Sequence, residues 1–561
     1  MFIYPENIIE KIRQNQIRIL FVAIILIALV LRLYHLGNIP NGFANDEGAV
    51  AYQSYSILKT GKDTWGKPFP LMSFKDFGEH LPPFAVYSIV PFIKLMGLTV
   101  FSTRLPFALT AVIAIFPIYA LTKELFMNKK IALLACFLFA VSPFNIGWSR
   151  FIFEGNFGML FYLLGITFLV LAKRKSRFLP FSAVFFGLTF TTYHIYYFLT
   201  PVTALVLSGP LVVIFLKSKK DFILAAIISI IFIVYALGIV ASGSGRERFR
   251  QVSIFQNQNS LINLNTRQSY CGKIFPPIFC RAIFNKGESY MYDYTFNYLS
   301  HFSFTFLSLD GTFLRQAILP KHGLIYPFEM PFVIIAVFFL LKNFTYNSYA
   351  LISLILIYPL ANSFTGVGEI SRISQIMPIF PILSAYGIFT SIKKIKGLLK
   401  SAITLILIGV ATYNIISFLL NYFFVFPKTN GYFDSEAYVK LFQKIGKNPF
   451  DKYNNYYITR DYEGSGPEYQ ARIILPISPD AFQDPKRNEY IIKKPQNYVD
   501  YTRLDNYHFF SSILDINPSP NDLVVISYNQ AKLAKKIAFT IFEDNGTPAL
   551  VGVSANNITK Q

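Results

Sequence analysis

Apolar runs long enough to cross a bilayer recur through the first 424 residues of this 561-residue chain, and short polar or basic stretches separate them. About 20 residues suffice to span a hydrocarbon core. The pattern predicts spans at about 17–36, 105–126, 131–148, 157–172, 178–195, 199–216, 222–240, 328–342, 348–362, 373–391 and 401–424. That makes eleven, within a range of about 10–13 that the bilayer criterion allows. The first run exceeds a signal-peptide core and no small-residue cleavage site follows it, so it reads as a retained anchor. The apolar segment Pro83–Gly97 decides the topology. If it lies in the plane of the interface, then Lys11, Arg13 and Arg18, Lys123, Lys129 and Lys130, Lys173–Arg177, Lys217–Lys220, Lys342 and Lys393–Lys400 all fall on one side. That is the positive-inside pattern, and counting the segment as a span destroys it.

Composition agrees: 53% of residues are hydrophobic, 15% are charged, and the mean hydropathy is +0.42. Soluble domains carry roughly 25% charged residues, so disordered, collagen-like, coiled-coil and disulfide-dense secreted classes are excluded. The net charge of +21 lies almost wholly in the apolar part, with 36 basic and 16 acidic residues before position 425 against 16 and 15 after it. Basic residues clustered between spans set orientation and do not form a nucleic-acid face.

The same topology sorts the acids. Before residue 425, only Glu6, Glu10, Glu124 and Asp221 fall on the cytoplasmic side, and none of the remaining twelve lies mid-membrane. Ion-coupled transporters keep ionisable groups near the midplane. One-sided acids instead suggest an enzyme at the outer interface, in an integral, multi-pass protein with a cytoplasmic N-terminus. Lys, Ile, Asn and Phe usage favours a bacterial inner membrane. The expected organisation is an all-α polytopic membrane domain over residues 1–424, with outside loops 37–104 and 242–327 and in-plane helices in the first of them. A small α/β extracytoplasmic domain follows over 425–561, signalled by strand-like runs and the turn Asp544-Asn545-Gly546.

Candidate chemistry concentrates in the first outside loop. Asn38–Ala51 reads NIPNGFANDEGAVA and leads into a helical run that Gly61 ends. Asn45 or Asp46 suits an N-cap, with Glu47 in the first turn, and that role needs no catalysis. Held at the membrane surface, however, an acid kept ionised by a helix N-terminus also suits a general base. A second polar stretch, SFKDFGEHLPP, follows. Cys136 lies in a span and reads as packing. Cys271 and Cys280, in CGKIFPPIFC, form a disulfide if the loop faces an oxidising compartment and are free thiols otherwise.

The order N-D-E-G-A-x-A-Y…T-G, G-E-x-x-P-P-F and S-T-R-L-P-F-A-L, followed by S-P-F-N-I-G-W-S-R-F-I-F-E, H-G-L-I-Y-P-F-E-M-P-F and S-R-I-S-Q-I-M-P-I-F-P, resembles the dolichyl-phosphate-mannose–protein mannosyltransferases and the bacterial aminoarabinose transferases. The resemblance covers about residues 15–425 and implies the GT-C fold. It implies an inverting glycosyltransferase that moves a hexosyl or pentosyl group from a polyprenyl-phosphate carrier to a glycan, lipid or protein acceptor on the extracytoplasmic side. By the same resemblance Asp46 is the general base, and Glu47 orients it or binds the acceptor. Many relatives have Lys before the paired prolines where this chain has Leu81-Pro82-Pro83, so His80, Lys75 or Lys67 would have to replace a phosphate contact.

Other candidates stay two-sided. Arg104 reads as an interfacial anchor, a partner of an outside acid, or a donor-phosphate contact. Arg372 opens a span after a Gly-rich outside loop. Its planar fork of donors suits a leaving phosphate as well as interfacial anchoring. Arg150 and Glu154 sit at i,i+4 spacing and either pair or line the site. Tyr193 and His194 are belt aromatics or groove residues. Glu79, Asp310 and Arg315, with the basic run Arg246, Arg248 and Arg250, are candidates for the acceptor groove, and Asp461 and Glu463 for its cover. No P-loop, dinucleotide fingerprint or metal-ligand spacing is present. No cofactor is required on this reading, and a divalent cation at the donor phosphate is not indicated. Rival readings are a ligase or polymerase of lipid-linked glycans, a lipid flippase, and a sensory protein.

Overall fold

The computed structural model describes residues 6–76, 79–242, 253–256, 258–309, 322–366, 370–429, 436–447, 453–462, 466–475, 477–483, 491–493 and 499–559. Among them, seven helices are long and apolar enough to cross a membrane: Gln14–Leu33, Val100–Phe126, Gly155–Ala172, Tyr196–Leu216, Lys219–Ala241, Arg372–Lys394 and Gly397–Lys428. A pair bent by 56°, Lys129–Val141 and Pro143–Ser149, makes an eighth if counted as one span. The chain is an integral membrane protein. Of the eleven expected runs, the other three form shorter helices of 11, 13 and 17 residues, at Leu179–Thr189, Met330–Lys342 and Tyr346–Asn362. In the first of these the expected run 178–195 continues past the helix end at Thr189. The segment 190–195 leaves the helix in successive turns through TTYH.

Two elements of the first loop flank a short hairpin. Helix Asn45–Thr60 ends at Gly61, whose φ of 69° is the left-handed closure that glycine adopts without strain. Strands Phe74–Asp76 and Glu79–Leu81 pair antiparallel. Pro82 and Pro83 then open helix Pro83–Met96, where a missing N–H costs nothing.

The tail holds a six-stranded sheet in the order Arg503–Leu504, Tyr507–Phe510, Tyr456–Thr459, Leu523–Ser527, Pro548–Ser554 and Phe539–Phe542. Tyr456–Thr459 runs parallel to both its neighbours, and the other pairings are antiparallel. Helices Glu436–Lys447 and Pro467–Ile474 cover one face.

This tail and the first loop share one apolar core, in which Val50, Tyr52, Ile57 and Ile89 join Tyr438, Leu441, Ile458 and Tyr469. Helix Asn45–Thr60 is therefore buried on nearly every side, between helix Pro83–Met96 and helix Pro467–Ile474. Polar contacts fix the register. Tyr52 Oη donates to the Ile477 carbonyl at 3.0 Å, and Asn41 Nδ2 donates to Glu436 Oε2 at 2.7 Å. Arg472 reaches both Asp76 carboxylate oxygens at 3.2 Å, with neither side chain exposed.

Helix Asn45–Thr60 approaches the tail closely at Gly48, where a Cβ would lie 2.9 Å from the Tyr469 carbonyl oxygen. Overpacking of this kind costs about 1–3 kcal/mol. Gly48→Ala is expected to lower the thermal midpoint of the detergent-solubilised protein, and an unchanged midpoint would show that the two helices can separate freely.

Candidate active site

The two adjacent acids of the NDEG motif meet opposite fates. Helix Asn45–Thr60 turns Glu47 inward, where it is fully buried. Glu47 Oε1 and Oε2 accept from Arg104 Nε at 2.8 Å and from a terminal guanidinium nitrogen at 2.7 Å, a bidentate fork. The same carboxylate accepts the Ala44 N–H at 3.1 Å, satisfying one free donor of the helix start, and the Ile152 N–H at 3.0 Å. Asp46, one position earlier, is exposed in the first turn. There the aligned peptide dipoles favour its negative charge. Its neighbour Asn45 is held from the tail, because Gln470 Nε2 donates to Asn45 Oδ1 at 3.1 Å and to the Phe43 carbonyl at 2.8 Å.

Arg104 does not fit the donor-phosphate role. It is fully buried, and beyond Glu47 it donates to the carbonyls of Pro40 at 2.8 Å, Gly42 at 3.0 Å and Leu36 at 3.5 Å. A guanidinium has five N–H groups, and these contacts occupy all of them. Arg150 behaves alike. It is buried, donates to the carbonyls of Leu31, Tyr34 and Ile39 at 2.6–2.9 Å, and packs its charge over the Phe423 ring. A third buried arginine, Arg32, donates to the Ala140 carbonyl at 2.6 Å and the Phe139 carbonyl at 3.3 Å. These three buried side chains satisfy main-chain carbonyls at and beyond helix ends, where unpaired backbone is costly. Sequence reasoning missed Arg32, although an arginine inside the run ALVLRLYHLG was a usable signal.

The turn 150–155 links the acidic helix to the tenth expected span. Its Ile152 N–H binds Glu47, and its Gly155 carbonyl accepts from Ser374 Oγ at 3.4 Å. Glu154 precedes helix Gly155–Ala172 at this turn and is half-buried. Tyr193 lies close by, with its ring edge on Phe153 at 5.0 Å, while His194 faces Tyr197 at 5.8 Å. Arg372, two residues before Ser374, is half-buried and donates to the Thr365 carbonyl at 3.3 Å. The structure thus gathers the 150–155 turn, Glu154, Tyr193 and the Arg372 segment around the start of helix Gly155–Ala172.

Lys75 and His80 are cross-strand partners in the hairpin. Lys75 is exposed with its ammonium 4.8 Å over the Trp65 ring, and His80 Nδ1 lies 3.3 Å from Ser73 Oγ. The side chain of Glu79 lies outside the described residues, as do Asp310, Arg315, Arg246, Arg248, Arg250 and Glu463 altogether. Cys271 and Cys280 form a disulfide at the tip of a helical hairpin. Among the described residues, no group of three His, Cys, Asp or Glu side chains is placed to hold a metal. Between the C-terminal ends of helices Gln14–Leu33 and Gly397–Lys428 lies an apolar cleft of about 320 Å³, lined by Val30, Leu31 and Tyr34 and by Ile416, Leu419, Leu420, Phe423 and Phe424.

Gln470 and Arg472, which hold the acidic loop from the tail, escaped the sequence reading, as did Asp76 as the partner of Arg472. Their spacing of about four hundred residues leaves no local pattern to find.

Among solved structures, the oligosaccharyltransferase AglB from Archaeoglobus fulgidus, in complex with an inhibitory peptide and a dolichol-phosphate, is similar at a TM-score of 0.49 and 14% identity. That likeness covers 83% of this chain, which spans 65% of the archaeal one. ArnT from Cupriavidus metallidurans, bound to undecaprenyl phosphate, is similar at 0.49 and 12% identity over 97% of this chain and 99% of its own. No curated protein sequence matches. The family model described as dolichyl-phosphate-mannose-protein mannosyltransferase matches residues 80–237, from the hairpin through the Lys219–Ala241 helix, in line with the resemblance carried by the sequence motifs.

Proposed function

We propose that the chain is an inverting glycosyltransferase that moves a sugar from a polyprenyl-phosphate carrier to an acceptor hydroxyl at the outer face of the membrane. The observation that carries this reading is the unequal burial of the paired acids: Glu47 is enclosed and accepts from four donors, and Asp46 is exposed in the first turn of the same helix. Asp46 takes the acceptor proton as the acceptor oxygen attacks the anomeric carbon. The bond from that carbon to the phosphate oxygen breaks, and polyprenyl phosphate leaves with its electron pair. Where the acceptor is already ionised, the carboxylate positions it instead. Arg372 meets the charge that accumulates on the leaving phosphate, and such a contact strengthens toward the transition state. The disulfide between Cys271 and Cys280 supports an oxidising, extracytoplasmic face for this side. The apolar cleft beside Phe423 is lined only by groups that tolerate an isoprenoid or acyl chain.

The direct test profiles lipid carriers in cells with and without the protein and weighs the group transferred to the acceptor. Loss of one polyprenyl-phosphate sugar, with free polyprenyl phosphate released, is expected. A transferred multi-sugar unit would make the chain a ligase or polymerase, and movement of intact lipid with no release would make it a flippase. Arg372→Ala is expected to raise the KM for the lipid donor about tenfold, the loss of one charge-assisted contact, and an unchanged donor KM would remove the phosphate role.

A further inference from the structure

A buried histidine outside the acidic loop connects to Arg372 through hydrogen bonds to Asn362 and Thr365 and the main chain of Thr365. His301 follows helix Lys286–Ser300 and is 1% exposed. Its Nδ1 lies 2.6 Å from the Asn297 carbonyl oxygen. A carbonyl only accepts, so Nδ1 carries the proton and Nε2 is left as an acceptor. Asn362 Nδ2 donates to that Nε2 at 2.8 Å. This fixes the Asn362 amide so that Oδ1 faces Thr365, whose hydroxyl lies 3.0 Å from Oδ1 and 2.9 Å from the Asn362 carbonyl. The Thr365 carbonyl is the acceptor for Arg372.

The run is braced on both sides. Tyr358 Oη donates to the His301 carbonyl at 2.6 Å, and Asn297 Nδ2 donates to the Ser363 carbonyl at 3.0 Å. Burial pulls the imidazole below its ordinary value, consistent with the neutral tautomer that these contacts require. Satisfied buried networks of this kind rigidify the backbone they touch. What this one rigidifies is the end of helix Tyr346–Asn362 and the start of the Gly-rich loop before Arg372.

We infer that His301 is a positioning residue for Arg372, acting through Asn362 and Thr365 to set where the guanidinium meets the donor phosphate. This rests on the phosphate role given to Arg372 above. It extends the site to the second outside loop, through a histidine that is itself buried.

The test measures binding of undecaprenyl phosphate to the full-length, detergent-solubilised protein, which needs no knowledge of the sugar. Arg372→Ala is expected to weaken binding about tenfold and His301→Ala about fivefold, by comparison with the loss of a charged and of a neutral hydrogen bond. His301→Gln, which keeps an acceptor for Asn362, is expected to recover most of the affinity. In the Arg372→Ala background, His301→Ala is expected to add nothing. If His301→Ala leaves affinity unchanged while Arg372→Ala lowers it, the inference fails and the phosphate reading stands. If Arg372→Ala has no effect, the phosphate reading fails and the inference with it. Equal weakening by His301→Ala in both backgrounds would make the histidine purely structural. Should His301→Ala not fold, Thr365→Val at a half-buried position removes the hydroxyl link and carries the same comparison.

Discussion

Asp46→Asn is expected to lower turnover by about 10²–10⁴-fold, the usual yield of general-base catalysis, with little change in melting behaviour. The side chain is exposed and the substitution is nearly isosteric. A structural N-terminal acid would act differently. Asn still suits a helix start, so the variant would stay active if the cap were its whole purpose. Donor-binding and turnover measurements on the same preparation separate these outcomes. Intact lipid binding with abolished transfer supports the base role, and near-normal transfer removes it.

Breaking the Glu47–Arg104 pair is expected to have the second large effect, and on stability more than on chemistry. Removing one member of a buried ion pair strands the other and costs about 3–5 kcal/mol. Glu47→Ala would also leave the Ile152 N–H without its acceptor and free Arg104 from two of its five contacts. Arg104→Ala would release the carbonyls of Pro40 and Gly42 in the stretch that leads to Asp46. Both variants are expected to lose folded yield or melt far below wild type, followed by thermal unfolding and size-exclusion chromatography. The pair should be non-additive, with Glu47→Gln plus Arg104→Met less damaging than the sum of the singles. A Glu47→Ala protein that melts like wild type would mean the buried fork contributes little.

These two variants mark what local pattern can and cannot say about the site. The motif NDEG, the helix that follows it and the short apolar helix after paired prolines were readable because each is a short-range signal. The split in role between Asp46 and Glu47 was only half readable, since adjacent positions on a helix point about 100° apart and the partner of Glu47 lies 57 residues on. Arg104 illustrates the harder case. At the edge of an apolar run, an anchoring arginine and a fully enclosed one have the same sequence context, and only the fold shows that its donors are consumed. The length of each helix was hard to read for a related reason: hydropathy does not register where the backbone stops being helical, as between Thr189 and Tyr196. The apolar core shared by tail and first loop was invisible because its two halves come from opposite ends of the chain.

That last arrangement bears on when the protein becomes competent. Gln470, which braces the residue before Asp46, lies 425 positions downstream of Asn45. A nascent chain whose early helices have already entered the bilayer therefore cannot set the acidic turn in its final place until the ribosome has passed Ile477. Copies that stop short of Gln470 would therefore lack the contact that holds Asn45 beside Asp46.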